Sequence, residues 1–189
     1  MERVVLGWPP DGPTLRLDYR RFSYAGKFVM SNTGKAVVRD EDEATDGEYD
    51  DDVLAAVAFN EDRTDASALW LRYVTVRHDR RGEGLGPSLC SLVVDRAADC
   101  GHDRVRIAVN NPFAYEALYR AGFGFAGETT GLAELVLERP AAEPADRPAA
   151  AYRRGLDRFR RRELSAEETA FLDRKAGAAP PPLERASGG

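Results

Sequence analysis

Apolar and polar positions change their period along the middle of the chain, and each change marks an element. "GKAVV" around Ala36–Val38, "VLAAVAF" at Val53–Phe59 and "ALWLRYVTV" at Ala68–Val76 are β-rich runs separated by turn-forming residues, which predicts three consecutive strands. The period then lengthens. Leu85, Leu89, Leu92, Val93 and Ala97 recur at helical spacing, with Pro87 near the first turn and Gly101 as the stop. "RVRIAV", Arg104–Val109, alternates charged and apolar residues as a half-buried strand does. "NPFAYEALYRAG" predicts a short second helix with Asn111 as N-cap, Pro112 as first residue and Gly122 as stop. "LAELVLE", Leu132–Glu138, closes the set as a strand. This order implies an α/β domain built on a mixed sheet.

Two composition shifts interrupt the pattern. The acidic run "RDEDEATDGEYDDD", Arg39–Asp52, reads as a solvated hairpin loop between two strands. "RPAAEPADRPAAA", Arg139–Ala151, reads as a Pro/Ala linker, because its prolines break helices and it has no apolar period. The expected organisation is a domain over residues 1–139, a linker over 140–151, a helical tail over 152–177 and a disordered C-terminus over 178–189. In the tail, Tyr152, Leu156 and Phe159 share one helix face while Arg153, Arg154, Arg158 and Arg160 to Arg162 crowd the rest. Ser165 and Glu168 form a capping box for a further short helix ending near Gly177. Such a basic amphipathic helix suits nucleic acid or an anionic membrane. The plainer reading docks its stripe on the domain, or on a second copy in a homodimer, with the arginines near the acidic loop.

Charge and length narrow the function classes. The chain of 189 residues suits one domain with an appendage, and its net charge of −5 argues against a nucleic-acid partner. No apolar stretch approaches the roughly 18 to 20 residues of a membrane span, and "MERVVLGWPPDG" lacks the marks of a signal peptide. A cytoplasmic protein with no membrane partner is expected. Cys90 and Cys100 would sit about 15 Å apart along one helix, too far to bridge, and His78 and His102 have no ligand cluster around them. No metal site is expected.

The stretch that carries chemistry is "VTVRHDRRGEGLGPSL", Val74–Leu89, which runs from the end of a strand through a loop into a helix. A helix N-terminus offers unpaired N–H groups and the positive end of the helix dipole. Gly82, Gly84 and Gly86 clear side chains from that backbone, and Arg77, Arg80 and Arg81 add positive charge at the rim. The spacing is not Gly-x-Gly-x-x-Gly, and no Gly-Lys-Ser/Thr follows. What Arg81-Gly82-Glu83-Gly84-Leu85-Gly86 does match is Arg/Gln-x-x-Gly-x-Gly/Ala, and in this it resembles the pyrophosphate-binding signature of the GNAT acetyltransferase superfamily. "VRHDRRGEGLG" follows the longer form of that signature, with His78 where proline is usual. "NPFAYEALYRAGF" resembles the family's second signature through Asn111, Ala114, Gly122 and Phe123. The resemblance covers Val53–Glu138 well and the N-terminal part poorly.

The resemblance implies a GNAT-like, mostly antiparallel sheet whose central strands splay apart, flanked by helices, with acetyl-CoA as co-substrate, an amine as acceptor and direct attack in a ternary complex. Val74, Thr75 and Val76 would pair with the pantetheine arm, backbone N–H groups from Arg81, Gly82, Glu83, Gly84, Leu85 and Gly86 would hold the pyrophosphate, and Asn111 would fix the arm near the thioester. The family's usual tyrosine acid falls on Leu118, which leaves Tyr119, or Tyr115 one turn away, as the phenol to protonate the thiolate. No acid lies on Ala68–Val76, so Glu61, Asp62 and Asp65 are the nearest candidate bases. The family's two N-terminal helices have only Leu17–Lys27 to form from. Two other functions remain open: a domain that binds acyl-CoA without catalysis, and an adaptor acting through the tail.

Overall fold

The computed structural model describes residues 1–40 and 47–184. Seven strands form one sheet: β1 (Glu2–Gly7), β2 (Gly34–Arg39), β3 (Val53–Glu61), β4 (Ala68–Val76), β5 (Arg104–Val109), β6 (Gly124–Thr129) and β7 (Leu135–Pro140). Their order is β1-β2-β3-β4-β5-β7-β6, and every neighbouring pair is antiparallel except β4 and β5. A parallel pair needs a crossover, and α1 (Leu85–Asp99) supplies it. The remaining helices are α2 (Pro112–Arg120), α3 (Ala149–Arg160) and α4 (Ala166–Arg174).

The apolar run of β3 is buried on both faces. Val57 and Phe59 join the main core with Leu89 and Val93 of α1, while Ala56 and Ala58 turn to a second core. That second core is closed by Leu15, Leu17, Phe22 and Phe28, from the segment where the family would place two helices. Here the segment carries one 3-10 turn, Ala25–Lys27, and covers the sheet as a packed loop.

β1 and β6 were not expected from the sequence. Both are sheet edges, and β6 offers only Phe125 as a large apolar residue between Gly124 and Gly127. The acidic run joins β2 to β3, which pair antiparallel, and Asp40 N–H donates to Asp52 O at 2.8 Å across its base. Its middle, residues 41–46, lies outside the described residues.

The expected linker does not separate two bodies. Ala141 N–H donates to Asp103 O and Ala145 N–H to Gly122 O, each at 2.9 Å, and α3 already begins at Ala149. Tyr152, Leu156 and Phe159 enter the main core beside Tyr115 and Tyr119. The stripe is thus docked on the domain. Arg160 lies against Asp157 and Asp173, and Arg162 donates to Asn110 O and Ala133 O. Ser165 and Glu168 do make the capping box. Residues 178–184, expected to be disordered, are placed against α2: Arg147 donates to Pro181 O at 3.0 Å, and Glu184 N–H to Arg120 O at 2.9 Å.

Candidate functional site

β4 and β5 pair only from Ala68–Leu71 against Arg104–Ile107. Beyond Leu71, β4 stays paired with β3 alone, through Tyr73, Val74, Thr75 and Val76. The two central strands diverge there and open a cleft of about 1030 Å³. One wall is Tyr73 to Val76, the other is Ile107 to Asn111 with Ala114, Ala117 and Leu118 of α2, and Gly82, Gly84, Leu85 and Gly86 close one end. The structure therefore brings Val74, Thr75, Val76, Arg81, the three glycines, Leu85 and Asn111 to one cleft.

The closed end is backbone. Gly82 and Gly84 have φ of +86° and +75°, the left-handed region that favours glycine. Gly84 caps α1 without any side-chain hydrogen bond, and Ser88 N–H makes the first helical bond, to Gly84 O at 3.1 Å. Pro87 has no N–H. The N–H groups of Gly84, Leu85 and Gly86 thus have no partner within the helix, and they converge where the helix dipole is positive. Thr75 adds a buried hydroxyl with no protein partner.

The charged residues of the loop divide. Arg81 reaches the cleft and donates to Ser23 Oγ at 3.0 Å. Arg80 also lines the cleft and holds Glu83 through two bonds of 2.7 and 2.8 Å; Glu83 itself is not a lining residue. Arg77 is not a rim charge: it is buried and donates to Asp79 at 2.9 Å. Asn111 spends its side-chain oxygen capping α2, accepting from Ala114 N–H at 2.8 Å, and its amide donates to Asn110 Oδ1 at 3.2 Å.

Tyr119 does not reach the cleft. It is fully buried on the side of α2 that faces α3 and β6, where its hydroxyl accepts from Phe125 N–H at 2.9 Å and lies 3.3 Å from Tyr115 Oη. Burial pushes its phenol above the ordinary tyrosine range. Tyr115, which donates to Tyr152 O at 3.0 Å, is equally enclosed. Between the two tyrosines, Glu116, Ala117 and Leu118 are the residues that line the cleft. The expected assignment of Tyr119 as acid fails because α2 is buried on two sides, and its tyrosines face the one without the cleft.

The candidate bases lie outside the cleft too, Glu61 being exposed beside His102 at 3.8 Å. Asp62 accepts from Trp70 Nε1 at 2.5 Å and from Thr64, bonds that hold its carboxyl well below the usual range, and Asp65 is tied to Ser67 and Arg104. Neither lines the cleft. The rim carries groups that were not anticipated: Tyr24, Glu134, and Ser165, Glu167, Glu168 and Phe171 of α4. Phe171 packs against Phe113 with tilted rings, centroids 5.0 Å apart, a contact foreshadowed only by the apolar pair Phe171-Leu172 after the capping box. Among the described residues no cluster suited to a metal ion is found, and no helix is long and apolar enough to cross a membrane.

Several solved acetyltransferase structures are similar at low identity, each with a TM-score below 0.5. An N-acetyltransferase from Staphylococcus aureus Mu50 is 15% identical, with 58% of this chain and 68% of that one covered, at a TM-score of 0.47. Nourseothricin acetyltransferase is 18% identical over 74% and 87%, also at 0.47. A Bacillus subtilis acetyltransferase in complex with CoA is 13% identical over 57% and 76%, at 0.46. No curated protein matches in sequence. The model of the acetyltransferase (GNAT) family matches residues 9–125, which include both splayed strands, the glycine turn and α2, and the chain belongs to that family.

Proposed function

We propose that this chain is an N-acetyltransferase that takes acetyl groups from acetyl-CoA and passes them to an amine in a ternary complex. One observation carries the reading: an unpaired strand edge, Tyr73 to Val76, leads directly into a helix start with three N–H groups lacking a helical partner. The edge suits the amides of a pantetheine arm, added as an extra strand would be, and the turn from Arg81 to Gly86 suits a pyrophosphate. Thr75, with its orphaned hydroxyl, and the spare N–H of Asn111 supply further polar groups along the arm. When bound, acetyl-CoA would supply the thioester whose C–S bond breaks as the amine nitrogen bonds the carbonyl carbon. Backbone N–H groups of β4 polarise that carbonyl. Glu134, Glu167 and Glu168 give the rim a negative field that attracts an ammonium. With Leu118 at the cleft and both tyrosines in the core, water admitted by the open cleft protonates the departing thiolate.

Thermal denaturation with added acetyl-CoA, followed by a thiol-release assay over a panel of amines, tests this. A hundredfold excess over the dissociation constant should stabilise the fold by about 2.7 kcal/mol. In a chain of this size that raises Tm by about 5 to 11 °C. No shift at millimolar acetyl-CoA would overturn the reading. A shift without thiol release from any amine would favour a binding domain without catalysis, the alternative to which Leu118 points.

A further inference from the structure

The segment after α4 ends its described course on the glycine turn. Ala179-Pro180-Pro181-Pro182 forms a run with little conformational freedom, pinned where Arg147 donates to both Pro181 O and Tyr119 O. Pro181 is buried. Three residues on, Glu184 N–H donates to Arg120 O at the C-terminal end of α2. The Glu184 side chain then crosses the cleft to Gly84. A Cβ placed on Gly84 would find, as its three nearest atoms, the two carboxylate oxygens and the carboxyl carbon of Glu184, at 3.3, 3.5 and 3.7 Å.

The geometry points to a strap: the segment Ala178–Glu184 lays a carboxylate on the anion cradle of its own domain and competes with the cofactor's pyrophosphate for it. This rests on the proposed acetyl-CoA site. A carboxylate suits this place for the reason a phosphate does, since the start of α1 favours negative charge. Glu184 is itself exposed, and it is its backbone N–H, not its side chain, that bonds Arg120. It therefore yields when a better anion arrives. A pyrophosphate held at this turn would bring negative charge up against the same carboxylate, and like charges so close oppose each other. The apparent affinity for cofactor is reduced by the fraction of molecules whose strap is open.

The test measures CoA binding by calorimetry at low and high salt for three full folds: the wild type, Glu184→Gln, and a chain ending at Leu183, which keeps the Pro181 anchor. Both variants should bind CoA about 2- to 5-fold more tightly than the wild type at low salt, the range expected for one charge at a helix start. The gap should narrow as salt rises. Hydrogen exchange supplies a second readout: CoA should speed exchange at Leu183 and Glu184 in the wild type. Equal affinity in all three chains would overturn the strap. So would slower exchange with CoA, which would mean that the segment closes over the ligand instead of competing with it. Absence of CoA binding in every chain would overturn the proposed site itself.

Discussion

Gly155 sits in the middle of α3, and substituting alanine there tests whether the C-terminal helices belong to the fold. In an isolated helix Gly→Ala is favourable by about 1 kcal/mol, because alanine restricts the unfolded backbone and glycine does not. In the structure the added methyl would stand 2.0 Å from Tyr115 Oη and 2.4 Å from its Cζ. Tyr115 has nowhere to go. Its hydroxyl donates to Tyr152 O, and its ring lies 4.8 Å from Tyr119 and 5.8 Å from Tyr152. Overpacking of this kind costs about 1–3 kcal/mol, and losing the Tyr115 hydrogen bond leaves a buried hydroxyl that costs about 1–3 more. Set against the helical gain, Gly155→Ala should destabilise the protein by about 1–5 kcal/mol, a fall in Tm of roughly 2 to 20 °C. Tyr115→Phe removes the closest atom, so the same substitution made in that background should cost clearly less. Scanning calorimetry of the four proteins measures both. If Gly155→Ala leaves Tm unchanged or raises it, α3 is not docked on Tyr115 and the core described here is wrongly assigned.

Two further outcomes follow from the same tyrosine cluster. Tyr119→Phe should leave thiol release within a few fold of the wild type while lowering stability by about 1–3 kcal/mol, since Phe125 N–H loses its acceptor; a hundredfold loss of turnover with cofactor binding intact would restore Tyr119 as the acid. Burial raises the phenol pKa of Tyr115, Tyr119 and Tyr152, so the unfolded chain releases their protons first and stability falls as pH rises above about 10, by roughly 4 kcal/mol per pH unit for the three together. Lys35, whose buried ammonium is disfavoured, acts in the opposite sense but only below about pH 10.4. Denaturant midpoints across that range, with tyrosinate absorbance, check the sign: a flat profile would mean the phenols are not buried.

How much of this was legible in the sequence depends on how many neighbours an element has. β4 and α1 were readable almost to the residue, because each buries a full apolar face and is bounded by turn residues or a helix cap. The glycine turn was readable because its job is done by backbone, which leaves a mark as missing side chains. β1 and β6 were not, because an edge strand pairs on one side only and can stay half exposed; Glu128 and Thr129 of β6 carry no apolar signal at all. Arg77 misled for a different reason: sequence gives a charge its position along the chain and not its partner, and here Asp79 was a partner.

The largest error has the same root as the prediction on Gly155. Read alone, α2 presents Ala114, Ala117, Leu118 and Ala121 as its apolar face, which leaves Tyr115 and Tyr119 as flanking residues free to reach a ligand. That inference assumes one buried face. α2 has two, because α3 covers the tyrosines from a segment that follows a run of prolines and so looked detached. The cover was recorded in α3 and not in α2: a glycine between Tyr152 and Phe159, in a helix otherwise crowded with arginine, marks a place where another side chain must come close, and Tyr115 is that side chain. With the tyrosines committed to the core, α2 turns only small and apolar residues and the ends of Glu116 and Arg120 toward the cleft. Glu116 is itself held by Tyr152 Oη at 2.5 Å and Lys175 Nζ at 2.6 Å. The helix that would supply a proton donor is thus spent on anchoring the C-terminal pair, and the same pair delivers Phe171, the glutamates of α4 and Glu184 to the cleft. What α2 lacks in a phenol at the cleft, the chain has in an appendage that lines its rim.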